Sequence, residues 1–154
     1  MFPFTIRFQR KIKYQIDDKE INDCFDDIIN MLQERKADFF NKEQNKLRFE
    51  NRLFKLVSNF NLMGATDCGY IEILQNNNST EIFYKVNLTR IIVIGTIISI
   101  IIFLTTIKDF GINGGLIAFG GFVGLNWLIT AIRHFALSFT IADLIQNKII
   151  GKEK

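Results

Sequence analysis

LTRIIVIGTIISIIIFLTTI, Leu88 to Ile107, carries no charge after Arg90 and is dominated by branched aliphatic residues. As a helix rising ~1.5 Å per residue it is long enough to cross a ~30 Å hydrocarbon core, and it reads as a transmembrane segment. It divides the 154-residue chain into a charged part of soluble character and a second, glycine-rich apolar run, GGLIAFGGFVGLNWLITAI from Gly114 to Ile132. That run is also of spanning length. The intervening KDFGIN, Lys108 to Asn113, is short, so the two predicted helices are antiparallel neighbours: a two-helix transmembrane hairpin over residues 89–134.

Positive charge flanks this hairpin on one side. Arg90 precedes the first helix and Arg133 follows the second, with Lys148 farther on, whereas the loop has only Lys108, opposed by Asp109. The positive-inside tendency predicts a two-pass protein of a bacterial-type inner or plasma membrane, with the N-terminal domain and the C-terminus both cytoplasmic. The start, MFPFTIRFQRKIKYQI, has neither an uninterrupted apolar core nor a small-residue cleavage site, so the first insertion signal is expected at Leu88.

Residues 1–88 read as a cytoplasmic α+β domain. Phe4, Ile6 and Phe8 alternate with polar residues, and the phase resumes at Ile12, Tyr14 and Ile16, with a bulge or bend expected at Arg10. Asp17 is a predicted N-cap, with Glu20 three residues on to complete a capping box. Between Lys19 and Lys36, Ile21, Phe25, Ile28 and Leu32 form one stripe opposite Asp23, Asp26, Asp27, Asn30 and Glu34, which predicts an amphipathic helix laid on a sheet. Phe39–Phe40 and Leu47–Phe49 suggest short strands, and 53–57 a third strand or a continuation of the second. Strands are also expected from Tyr70 to Leu74 and from Thr80 to Leu88, joined by a turn over Asn76 to Ser79. The predicted class is α+β: a small antiparallel sheet with one helix covering its apolar face, then the transmembrane hairpin, then a separate amphipathic helix in 135–154 that lies at the interface or docks on the domain. Phe135, Phe139, Ala142, Ile145 and Ile149 supply that last helix's apolar spacing.

The glycines are the most specific local feature. Gly120 and Gly124, like Gly114 and Ala118, are four apart and make flat strips for close helix approach, with Gly115 and Gly121 beside them; Gly95 and Ser99 match them on the first helix. Internal packing uses some of these faces, and glycine on more than one face leaves others for a second subunit. Asn126, deep in the second helix, needs a polar partner and suggests an interhelical hydrogen bond. Arg7, Lys11 and Lys13 share the polar face of the first strand and, with Arg10, Arg90 and Arg133, form a candidate surface for anionic lipid or for a partner's acids.

Catalytic chemistry is poorly supplied. His134 is the single histidine, and reads as an interface residue beside Arg133. The acids around Asp23 follow capping and helical solvation and lack the ligand alternation of a calcium loop. Cys24 and Cys68 have no metal-like spacing, and Cys68 has no histidine within its own domain to serve as a base. No metal or cofactor is expected, and the formal net charge of +3, with basic and acidic residues interleaved, does not point to nucleic acid. The leading expectation is a noncatalytic accessory, assembly or regulatory subunit whose partners are membrane lipids and either further copies of itself or a larger membrane protein. Two alternatives stand beside it. A homo-oligomeric channel or transporter would use Ser99, Thr105, Asn126 and Thr130; a lipid enzyme would use His134, Asp143 and Arg133.

Overall fold

The computed structural model describes residues 4–52, 63, 66–76 and 78–150. Its elements are β1 (Thr5–Ile12), α1 (Asp18–Glu34), β2 (Phe39–Glu43), β3 (Lys46–Glu50), β4 (Cys68–Asn76), β5 (Ser79–Asn87) and α2 (Thr89–Ile150). The five strands form one antiparallel sheet in the order β1-β5-β4-β3-β2, so the chain leaves one edge in β1, crosses the sheet as α1 and returns at the opposite edge in β2. The segment 53–57, for which a strand was one expectation, lies outside the described residues.

The stripe on α1 does what its spacing requires: Ile21, Phe25, Ile28 and Leu32 are all buried against the sheet. The helix begins at Asp17, whose backbone N–H donates to the Glu20 carboxylate at 3.2 Å while the Asp17 side chain accepts from the third helical residue. It ends in a Schellman arrangement, Lys36 N–H to Gln33 O at 2.8 Å and Ala37 N–H to Leu32 O at 2.9 Å. That ending puts Lys36 at φ 71°, the left-handed region where glycine is preferred. Lys36→Gly is therefore expected to raise stability by about 1 kcal/mol. A urea midpoint that is unchanged or lowered would show that the lysine side chain offsets its backbone cost.

Three expectations about the architecture need correction. First, the predicted class had two transmembrane helices and a separate C-terminal helix; the structure has a single long helical element, α2, 62 residues from Thr89 to Ile150. Its one departure from helical geometry is Gly111, at φ 70° and ψ −178°. The reversal needs one residue where a loop over Lys108 to Asn113 was expected. Straight, α2 would be ~93 Å long. Instead the bend lays two limbs side by side: a Cβ on Gly115 would sit 2.8 Å from the Phe103 ring, and Ile91, Ile92 and Gly95 share a cavity with Val123, Gly124 and Trp127. Nothing interrupts the helix between 112 and 150, because Asp143 is exposed and its charge requires no break.

Second, α1 does not cover the sheet by itself. Leu137, Ile141, Ala142, Ile145 and Ile149 of α2 join the same core as Ile12, Leu47, Phe49, Ile71, Ile73, Ile82 and Val86. The end of α2 is tied to α1 through Lys148, which donates to the Asp27 carboxylate and, at 2.7 Å, to Asp23 O. Burial opposes the Lys148 charge, but the hydrogen bond and the charge of Asp27 prevail and raise its pKa.

Third, β1 runs unbroken from Thr5 opposite Asn87 to Ile12 opposite Thr80, with no bulge at Arg10. Arg10 takes the apolar side of the strand, its guanidinium 3.6 Å from the Phe139 ring centroid and 4.8 Å from that of Phe135. Its Nε and Nη2 are buried and have no hydrogen-bond partner among the described residues.

Candidate functional site

The polar residues converge where β5 becomes α2. Only Leu88 separates the two elements, and its N–H donates to Phe4 O at 3.0 Å. Asn87 Oδ1 accepts from Thr89 N–H (2.9 Å) and from the Thr89 hydroxyl (2.6 Å), and Asp67 Oδ2 accepts from Arg90 N–H (2.8 Å). These are the first, otherwise unsatisfied donors of a helix, and the Asp67 charge suits its positive end. Asp67 also holds the Arg90 guanidinium, Oδ1 to Nε 3.0 Å, while Arg90 Nη1 donates to Arg52 O at 2.8 Å. Asn51 completes the platform, its side-chain amide donating to Met63 O (2.6 Å) and Thr66 O (2.9 Å).

The second limb of α2 returns to the same place. His134 is fully buried, with Nδ1 2.7 Å from Tyr84 Oη and Nε2 3.2 Å from Thr66 Oγ1. Burial, reinforced by Arg133, lowers its pKa to about 4, so the ring is neutral near pH 7; one nitrogen donates and the other accepts. Burial likewise pushes the Tyr84 hydroxyl well up. Although a histidine between two hydroxyls has the composition of a proton-transfer group, Thr66 and His134 are fully enclosed and Tyr84 nearly so. The arrangement fastens the limb; it offers no approach to a substrate.

The residues singled out from sequence distribute unevenly. Arg7, Lys11 and Lys13 are exposed, with Arg7 4.3 Å over the Phe83 ring. Arg10 and Arg90 leave the expected basic surface, one for the two phenylalanine rings and the other for Asp67; Arg133 is half-buried. His134, expected at an interface, is a core residue, and it does not meet the exposed Asp143.

Among the glycines, Gly115 packs on Phe103 and Gly114 on Phe110 Cβ across the bend. A Cβ on Gly95, Gly120, Gly121 or Gly124 would meet nothing within 4 Å. Ser99 is buried and donates to Gly95 O at 2.7 Å, and Ala118 is half-buried. Asn126, also half-buried, lines a largely apolar cavity of ≈ 250 Å³ with Phe4, Ile91, Gly95, Gly124 and Trp127.

The open face of the sheet was not singled out beyond β1. There Tyr70 lies between Lys46 Nζ, 4.0 Å from its ring centroid, and Lys85 Nζ, 5.5 Å away. Period-two alternation through β3, β4 and β5 would have placed these side chains on one face. Cys68 shares it. Its thiol pKa is raised by burial and by the carboxylates of Asp67 and Glu50, which keeps it protonated and weakly nucleophilic. Cys24, in the core, is raised by burial as well, and both thiols are free. No group of three or more metal-ligating side chains occurs among the described residues.

Fold and site together define a five-stranded antiparallel sheet carrying a long, bent, apolar helix whose start and returning second limb are both fastened at one polar junction. Comparison with protein-family models, with curated proteins and with solved structures finds no match to this chain.

Proposed function

We propose that this chain is a noncatalytic membrane subunit: both limbs of the bent α2 lie in a bilayer, over about 91–107 and 114–132, and associate with other helices through their unused glycine faces. The observation that carries the reading is that Gly120, Gly121 and Gly124 have open space at their Cβ positions on an apolar limb, whereas Gly115 is already committed to Phe103. Further support comes from α2 itself, long and apolar enough to cross a membrane, with 11% of its most apolar window buried in the fold. Ile97, Ile101, Leu104, Ile117 and Leu125 face outward in a way that water would penalise. Arg133 and Lys148 favour a cytoplasmic sheet domain.

An accessory role is favoured over a pore because the candidate pore hydroxyls are satisfied locally. Ser99 donates to Gly95 O, Thr105 to Ile102 O at 2.9 Å and Thr130 to Asn126 O at 2.8 Å. It is favoured over a lipid enzyme because His134 is enclosed and Asp143 is not beside it.

The test is the native mass of the complex extracted in its own lipid, with every copurifying chain identified, for wild type and for Gly120→Leu/Gly124→Leu. The complex should be lost in the variant while the stability of the single chain changes by less than about 1 kcal/mol, because a Cβ at either position meets nothing within 4 Å. Gly115→Leu, which collides with Phe103, is the contrast and should destabilise the chain itself. A wild-type protein that is monomeric in native lipid would sink the association reading. A closed ring of this chain alone that conducts ions in liposomes would replace it with the pore.

A further inference from the structure

The open face of the sheet is mixed in charge, and only some of its cations are spent on its acids. Arg48 is paired with Glu43 at 3.0 Å, and Gln9 donates to Glu81. Arg7, Lys46 and Lys85 have no ion pair among the described residues. Lys46 stands directly across from Glu72 in the β3–β4 register, but its ammonium turns to the Tyr70 ring, where Lys85 approaches from the other side. Register places Arg7, Lys85, Tyr70 and Arg48 in one row across four strands. The next row, Thr5, Asn87, Cys68 and Glu50, is the last before α2 begins two residues beyond Asn87.

Apart from Arg7, the residues of these two rows line, with Lys46, a groove of ≈ 360 Å³. Unpaired ammonium groups flank an aromatic floor, and the uncharged side chains of Thr5, Asn87 and Cys68 lie at the end nearest α2. Glu50 is the single acid in the lining, against Lys46, Arg48 and Lys85. A phosphodiester fits this balance, since it accepts from two lysines at once and leaves its substituent to the neutral end.

We propose that the groove holds the headgroup of an anionic phospholipid from the bilayer that α2 enters, with the phosphate between Lys46 and Lys85 over Tyr70. The proposal rests on the bilayer reading of α2 and adds the ligand of the sheet face. Position selects lipid over a soluble anion: the groove occupies the half of the sheet joined to α2, where headgroups lie within reach and are highly concentrated. Arg7 lies beside Lys85 at its rim. Lys11, farther along β1, is on the same face but outside the groove.

The experiment uses the full chain in nanodiscs of phosphatidylcholine containing phosphatidylglycerol, with retained lipids counted by native mass spectrometry after gentle release. Wild type should retain phosphatidylglycerol over phosphatidylcholine. Lys46→Gln/Lys85→Gln should lose about fivefold in that preference for each lysine removed, and Lys11→Gln/Lys13→Gln, equal in charge change, should retain it. Equal losses in the two double variants would mean diffuse surface attraction and overturn the site, as would a wild type without preference. So would a short single-stranded RNA or inorganic phosphate that binds the detergent-solubilised protein with the same dependence on Lys46 and Lys85. If the wild-type chain instead fails to enter nanodiscs and is washed from native membranes by carbonate, the bilayer reading falls and takes this proposal with it. Circular dichroism of each variant checks that the exposed-face substitutions leave the fold intact.

Discussion

Lowering the pH from 6.5 toward 4 is expected to remove about 3 kcal/mol of folding stability through His134. In the folded chain this ring is buried between Tyr84 and Thr66, and its pKa is lowered to about 4; in the unfolded chain it returns to the ordinary 6.5. The stabilising contribution is complete above 6.5, where both states hold a neutral ring. As the pH falls, the unfolded chain takes up the proton first, so stability declines by up to ~1.4 kcal/mol per pH unit and levels off below the folded value. The measurement is thermal unfolding of the full chain in mild detergent, at steps of pH, for wild type and His134→Gln. The variant starts lower, because the buried Tyr84 hydroxyl loses its partner at a cost of roughly 1–3 kcal/mol. Between pH 6.5 and 4, however, its profile should be flatter than wild type by the histidine's share. Parallel profiles would mean that the ring titrates alike in both states and would overturn the lowered pKa.

Gly111→Ala is expected to cost about 1–3 kcal/mol, the usual cost of holding an L-residue in backbone territory that is nearly glycine-only. A side chain there has room, since nothing lies within 4 Å of its Cβ position, so the cost is conformational rather than steric contact with neighbours. Asn113→Ala, two residues on and exposed, is the control and should be near neutral. Spin labels at the exposed Ile94 and Leu125 read the geometry directly: a bend that opens to relieve the strain lengthens their separation. If Gly111→Ala matches Asn113→Ala in both stability and label distance, the reversal is held by contacts such as Phe103 on Gly115 and not by the glycine backbone.

Local pattern and tertiary context contributed differently to what could be read from sequence. Asp17 and Glu20, the stripe from Ile21 to Leu32, and the alternation in β1 and β5 are set by neighbours within a turn or along a strand, and those elements stand where their residues put them. Arg10 was misread because the rings that stack on its guanidinium, Phe135 and Phe139, are remote in sequence. A charge at an apolar position looks like an interruption until its distant partner is known. The same holds for Arg90 and His134: a cation and a histidine at the ends of apolar runs suggest a lipid boundary, yet Asp67, Tyr84 and Thr66 draw them into the domain. Length was the misleading signal for α2. Two apolar runs with a short polar gap imply a loop, whereas one glycine at positive φ turns a continuous helix back on itself, and no composition rule marks 135 as a new start.

The core shared between the sheet and residues 137–149 also sets an order in time. Tyr84 and Val86 are synthesised some fifty residues before the side chains that help to bury them, and both limbs of α2 come between. Until Ile149 has been made and carried back, α1 alone is available to cover the apolar sheet face. A molecule whose second limb goes astray leaves exposed the apolar surface that Leu137, Ile141, Ile145 and Ile149 would cover. Completion of the fold and correct return of the long helix are one event, so a protease that samples the sheet is in effect inspecting the helix.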